Sequence, residues 1–172
     1  MTELIFDKDA YLTVLQDKVL NAQKYVWFAT SDLKDLYVEK ARGIVPFLEI
    51  LSDLINRKVS IRIIHAKEPG KKFRTDFDKY SELIYGMEMF LCPRSHLKTV
   101  IVDGKFAYIG SANLTGAGMG AKNENTRNFE AGFITENDKF IKQIIQKFDL
   151  IWMGAYCNKC KRKKYCFEYK DL

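Results

Sequence analysis

The sequence predicts an α/β domain, a mixed β-sheet flanked by helices on both faces, followed by a short C-terminal cysteine-rich extension. Three observations predict it. Stretches with apolar residues at helical spacing take turns along the chain with compact or alternating apolar runs, the mark of helices layered on a sheet. Asp103-Gly104, set between apolar runs, is a strong hairpin signal that brings antiparallel pairing into that sheet. At 172 residues, 47% hydrophobic and 13% aromatic, the chain can bury one sizeable core, which excludes global disorder.

The elements follow in order. Residues 8–23 carry Tyr11, Leu12, Leu15, Val19 and Leu20 at helical spacing, and YVWFAT is the first compact strand. Ile44 to Arg57 predicts a second amphipathic helix and VSIRIIHA a second strand. A helix near Asp76 to Tyr85 and the strand MEMFLCP repeat the pattern. From His96 to Val102 the side chains alternate, so His96, Lys98 and Val100 share one face and Leu97, Thr99 and Ile101 the other. Phe106 to Ile109 is the returning strand. A strand containing Glu130, in NFEAGFITEND, precedes a last helix, Lys139 to Trp152, with Phe140, Ile144, Ile145, Phe148 and Ile151 on its apolar face. Two loops are expected to be exposed and basic: GAGMGAKNENTR, residues 116–127, a mobile segment at the mouth of a site, and EPGKKFR, residues 68–74. The division is therefore an α/β unit over residues 1–152 and a basic cysteine-rich tail over 153–172.

The hairpin carries the chemistry. His96, Lys98 and Asp103 form HxKxxxxD, and after six residues Gly110, Ser111 and Asn113 form GSxN. Alternation points His96 and Lys98 together, and the return strand brings Gly110, Ser111 and Asn113 back beside them. Gly110 lets backbone approach a ligand closely, while Ser111 and Asn113 can donate to phosphate oxygens. Asp103, at the turn, is read as structural, its carboxylate capping amides or pairing with a basic neighbour. Lys98 is read as a phosphate-binding ammonium.

This block resembles the HKD signature of the phospholipase D superfamily, which includes phospholipases, cardiolipin synthases, phosphatidyltransferases and small endonucleases that work without a metal ion. The similarity is tight from His96 to Thr115 and extends over roughly residues 1–152. It implies that His96 attacks phosphorus to give a phosphohistidine and that a second histidine protonates the leaving oxygen. It also implies that Glu130, on a following strand, hydrogen-bonds the ring nitrogen not used in attack. Asn128 before it, with Lys122 and Arg127 in the loop, is a candidate contact to substrate phosphate.

Two imidazoles are required, and the chain holds only His65 and His96. A two-fold homodimer supplies the pair, because an isologous interface brings both copies of His96 to one axis. His65, ending VSIRIIH, is read first as a strand-end histidine with a local hydrogen bond and only as a fallback partner.

The tail, AYCNKCKRKKYCFEYKDL, holds Cys157, Cys160 and Cys166 as CxxCxxxxxC, and Cys92 lies four residues before His96. No secretory signal is apparent, so a disulfide scaffold is disfavoured, and three close cysteines read as ligands of a structural zinc ion or an iron–sulfur cluster. The spacing is similar to the terminal cysteine run of iron–sulfur RecB-like nucleases, whose fourth ligand lies far upstream. Cys92 is read first as a buried core thiol on an apolar strand and second as the candidate for that place. Lys159, Lys161, Arg162, Lys163 and Lys164 lie between the cysteines and would form a positive patch.

Charge ranks the substrates. A net charge of +6 favours a polyanion over a single zwitterionic lipid. No helix pairs a wide aromatic or leucine face with a lysine-rich one, as interfacial anchoring requires. No apolar run approaches ~18 residues, so no membrane span is expected, and with no signal peptide apparent the location points to the cytoplasm. The expectation is a metal-independent phosphodiesterase, foremost an endonuclease acting on DNA or RNA as a homodimer. A phospholipase or phosphatidyltransferase is the alternative, and a non-catalytic nucleic-acid-binding module ranks last.

Overall fold

The computed structural model describes residues 1–34, 36–41 and 43–168, so residues 169–172 of the tail lie outside the described residues. The strands in chain order are β1 (Thr2–Phe6), β2 (Tyr25–Thr30), β3 (Leu33–Lys34), β4 (Tyr37–Lys40), β5 (Gly43–Pro46), β6 (Ser60–His65), β7 (Met87–Leu91), β8 (Thr99–Val102), β9 (Phe106–Gly110), β10 (Leu114–Thr115) and β11 (Ala131–Thr135). Seven of them form the main sheet in the order β1-β11-β9-β8-β2-β6-β7. β2, β6 and β7 run parallel, whereas β8, β9, β11 and β1 continue the sheet antiparallel, which makes it mixed as expected.

Period-two alternation sorts the side chains between two layers. Val26 and Phe28 of β2, Ile61 and Ile63 of β6, and Val100 and Val102 of β8 enter the larger core. The N-terminal helix, Ala10–Val19, and α1, Phe47–Asn56, cover that face through Val14, Leu15, Val19, Ile50, Leu51 and Leu54. Ala29, Ile64 and Ile101 face the other way and pack against Phe148 of α4, Asp138–Trp152. There the Arg62 guanidinium lies 5.3 Å from the Trp27 ring and 5.1 Å from the Trp152 ring, a cation sandwiched between indoles. Asn137 caps α4 by accepting from the Lys139 amide at 3.0 Å.

Several elements differ from the sequence expectation. The N-terminal helix is wound with π-type hydrogen bonds, the Leu20 amide reaching the Leu15 carbonyl at 3.1 Å. Ile44 and Val45 are not helical but pair with β4 in a hairpin, and the helix starts only at Phe47. β-branched residues followed by a proline favour extended backbone, and Pro46 ends the strand at the helix N-cap. The stretch near Asp76 to Tyr85 is two short helices, α2 (Lys71–Phe77) and α3 (Ser81–Gly86). The expected loop 68–74 is thus helical from Lys71 onward. Residues 116–120 are not an open loop either: Met119 has no exposed surface and belongs to the larger core. No helix among the described residues is long and apolar enough to cross a membrane.

Candidate active site

Four chain ends meet at one edge of the sheet. Because β8 runs antiparallel to both β2 and β9, the end of β2, the start of β8, the end of β9 and the start of β11 all fall together. Ala29 pairs with Thr99 and Thr99 with Ile109, which sets Thr30 and Ser31 on one side of Lys98 and Gly110 on the other. The Gly110 amide donates to the Lys98 carbonyl at 3.0 Å and the Ser111 amide to the Ala131 carbonyl at 3.0 Å. The Asp103-Gly104 turn has positive φ at both residues, 54° and 67°, the conformation a right-twisted hairpin needs.

Lys98 is the centre of the site. Its ammonium is within 2.9 Å of His96 Nδ1, 3.3 Å of His96 Nε2, 2.9 Å of the His96 carbonyl and 3.3 Å of Ser31 Oγ. An ammonium can only donate, so whichever ring nitrogen it meets acts as the acceptor. Regular strand begins only at Thr99, yet the alternation holds, since Leu97 and Ile101 pack into the smaller core and Val100 into the larger; Lys98 is 7% exposed and the His96 side chain faces solvent. Burial pushes the Lys98 ammonium below its ordinary value, and the Glu130 charge partly offsets that.

Asn113 orders the other side. Its Oδ1 accepts from the Ser31 amide at 3.0 Å and the Thr30 hydroxyl at 3.2 Å, and the Leu114 amide donates back to Thr30 Oγ1 at 3.1 Å. The carbonyl end of the amide is thereby used internally, and the Nδ2 end is the one available to a ligand. Ser31 and Thr30 were not among the expected site residues. The signal was present in the sequence as hydroxyl residues at the end of an apolar strand, where parallel strands place ligands.

Glu130 departs from the role that resemblance implied. Its carboxylate accepts from Ser111 Oγ in a very short contact and from Asn128 Nδ2 at 3.0 Å, and it does not hydrogen-bond the His96 ring. Its backbone is fixed by Asp7, whose amide donates to the Glu130 carbonyl at 3.0 Å and whose Oδ1 accepts the Glu130 amide at 2.8 Å. Glu130 therefore holds Ser111 and Asn128 and acts on Lys98 through charge. Tyr108, also missed, sits beneath: its buried hydroxyl accepts from the Ala112 amide at 3.3 Å, and its ring fills the space a side chain at Gly132 would need.

Other expected residues are placed differently. Lys122 is exposed and Arg127 half-buried in the 121–128 segment, and among the described residues neither hydrogen-bonds or ion-pairs with His96, Lys98, Ser111, Asn113 or Glu130. Asp103 is structural: its carboxylate accepts from the amides of Gln23, Lys24 and Tyr25 at 2.9, 2.7 and 3.0 Å, tying β8 to the start of β2. His65 is buried at 1% exposure, its Nδ1 against the Lys67 carbonyl in a very short contact and its Nε2 without a partner. Burial lowers its pKa, the Lys67 carbonyl opposing, so it is neutral and set aside from solvent.

All four cysteines are free and line one cavity of about 960 Å³ whose wall also includes His96 and Arg94. The Cys160 thiol is pulled below its ordinary value by the Arg162 backbone N–H and by Arg94. Burial first, then the charges of Cys166, Cys92 and Cys160, push the Cys157 thiol up. Cys157 is thus within electrostatic reach of the other three sulfurs. Among the described residues no three His, Cys, Asp or Glu side chains already stand in ligating geometry.

With this geometry in hand, known proteins fall into place. A family model described as "Cardiolipin synthase, PLD-like domain" matches residues 15–152. A curated relative, the mitochondrial cardiolipin hydrolase of Chlamydomonas reinhardtii, is 28% identical over 105 residues, 60% of this chain and 44% of the relative, so the chain spans less than half of that protein. Among solved structures, NucT from Helicobacter pylori superposes with a TM-score of 0.64 at 16% identity, covering 87% of this chain and 93% of that one. Nuc from Salmonella typhimurium, a phospholipase D family member, superposes with a TM-score of 0.63 at 17% identity over 88% and 93%. These two likenesses are of fold.

Proposed function

The chain belongs to the phospholipase D superfamily, whose chemistry is phosphodiester cleavage, and from that premise we propose that it is a nuclease acting through a phosphohistidine at His96. The observation that carries the reading is the buried Lys98 ammonium at 2.9 Å from an exposed imidazole, an arrangement that seats a phosphate oxygen beside a nucleophile. His96 nitrogen forms a bond to phosphorus as the bond to the leaving oxygen breaks, and that oxygen takes a proton from a second imidazole. Water then attacks phosphorus, its proton passes to the second imidazole, and the nitrogen–phosphorus bond breaks. Lys98, Asn113 Nδ2 and Ser111 stabilise the charge that gathers on the non-bridging oxygens.

The second imidazole is proposed to be His96 of another copy, since His65 is enclosed and neutral. Nucleic acid is favoured by the net charge of +6 and the lysine-rich tail, which attract a polyanion. Phospholipid is the second reading. It is favoured by the cardiolipin hydrolase relative and by Phe129, 96% exposed between Asn128 and Glu130, an apolar side chain placed to enter a bilayer surface.

The test is incubation of the purified chain with labelled single- and double-stranded DNA and RNA, and separately with cardiolipin vesicles, all in EDTA and with His96→Ala as control. Cleavage of nucleic acid that His96→Ala abolishes is the expected result. Turnover of lipid with nucleic acid intact rejects the nuclease reading, and cleavage only with added divalent ion rejects the mechanism.

A further inference from the structure

Cys92 stands at the end of β7 and its three counterparts lie beyond α4, far away in sequence, yet the fold delivers all four to one cavity. The delivery is specific. Gly154, at φ 69°, turns the chain back after α4, and the Cys157 amide donates to its carbonyl at 2.9 Å. In the CxxC turn the Cys160 amide meets the Cys157 carbonyl at 3.1 Å, and the Arg162 amide donates to Cys160 Sγ at 3.4 Å. An amide two residues beyond a sulfur, aimed at it, stabilises a thiolate rather than a thiol. The last described residues then dock on β7: Glu168 accepts the Leu91 amide at 3.1 Å, and Cys166 Sγ lies 4.0 Å from the Leu91 carbonyl, next to Cys92.

We propose that Cys92, Cys157, Cys160 and Cys166 form a tetrathiolate site for zinc that clasps the tail to the segment leading into His96. Four soft sulfur donors with a CxxC pair are the ligand set of a closed structural zinc site. Zinc with four thiolates carries two negative charges, and Lys159, Lys161, Arg162, Lys163 and Lys164 stand on the same short segment to balance them. Binding displaces four thiol protons and requires the Gly154 turn and the Cys166 segment to draw inward, because no three of the ligands stand in position beforehand. Its consequence lies at the active site. The Ser95 amide donates to the Cys92 carbonyl at 2.8 Å, so an ion on Cys92 fixes the turn from which His96 projects.

This inference is independent of the substrate. The full chain is purified without chelator in the presence of zinc, its metal content measured by mass spectrometry, and zinc release followed as a mercurial titrates the thiols. About one zinc per chain, four thiols protected from Ellman's reagent until the metal is stripped, and at least a ~100-fold loss of zinc affinity in Cys92→Ser and in Cys160→Ser are expected. Freely reactive thiols with no retained metal in the unmodified chain overturn the site, whatever the variants do. Full zinc affinity in Cys92→Ser overturns the clasp, and iron with visible charge-transfer absorbance overturns zinc as the occupant.

Discussion

At Asn113 one oxygen serves two donors, the Ser31 amide and the Thr30 hydroxyl, and a change there separates architecture from chemistry. Asn113→Ala leaves the Ser31 amide short of an acceptor, while the Thr30 hydroxyl keeps the Asp32 carbonyl at 2.8 Å, and the loss costs about 1–3 kcal/mol. Urea denaturation is expected to register that loss, whereas Asn113→Asp keeps the acceptor and recovers most stability but not turnover, since it lacks the amide donor for phosphate. Turnover in Asn113→Asp at the level of the unmodified chain counts against a ligand-binding Nδ2. His65 gives a second residue-scale expectation. Its folded pKa is held below the ordinary 6.5 by burial, so beneath that value the unfolded chain takes up a proton the folded chain refuses. Stability therefore falls as pH drops through that point, by at most about 1.4 kcal/mol per pH unit. Thermal melts from neutral to mildly acid pH are expected to slope less steeply in His65→Gln than in the unmodified chain, and parallel slopes refute the assignment.

The hairpin β8–β9 is the element on which the site is built, and its anchor is Asp103, whose carboxylate gathers three amides from the chain entering β2. Asp103→Ala strips those acceptors and is expected to lower stability by about 1–3 kcal/mol, with turnover at saturating substrate retained below the melting temperature. A loss of turnover in fully folded Asp103→Ala overturns its structural role. The hairpin was readable because its information is local: alternation fixes which side chains share a face, and Asp-Gly fixes the turn. The β4–β5 hairpin was not, since Ile44 and Val45 sit at helix-compatible spacing with α1 and only pairing with β4 makes them a strand. The Met119 segment was misread for a similar reason. Glycines and a polar flank resemble an open loop, but the close approach of Gly120 to Asp7 folds Met119 into the core.

At the scale of the whole molecule, the single motif histidine makes the assembly a prediction. Sedimentation is expected to show a dimer, and mixing inactive His96→Ala chains with unmodified ones is expected to remove activity out of proportion to the dilution, because mixed pairs lack one imidazole. A strictly monomeric, active protein refutes the shared site. What the sequence by itself determined is whatever repeats or turns within a few residues: the strands β2, β6, β7, β8 and β9, the final helix, the HxKxxxxD and GSxN pairing, and the family those residues signal. The tertiary structure alone decided who meets whom across the sheet. Placing β8 between β2 and β9 brought Ser31 to Lys98, set Asn113 on Thr30 and turned Glu130 toward Ser111 instead of His96, while β7 at the sheet edge met the tail beside Cys92. Those contacts join residues tens of positions apart, and no local spacing encodes them, because strand order follows from how two apolar faces are buried at once rather than from any one segment.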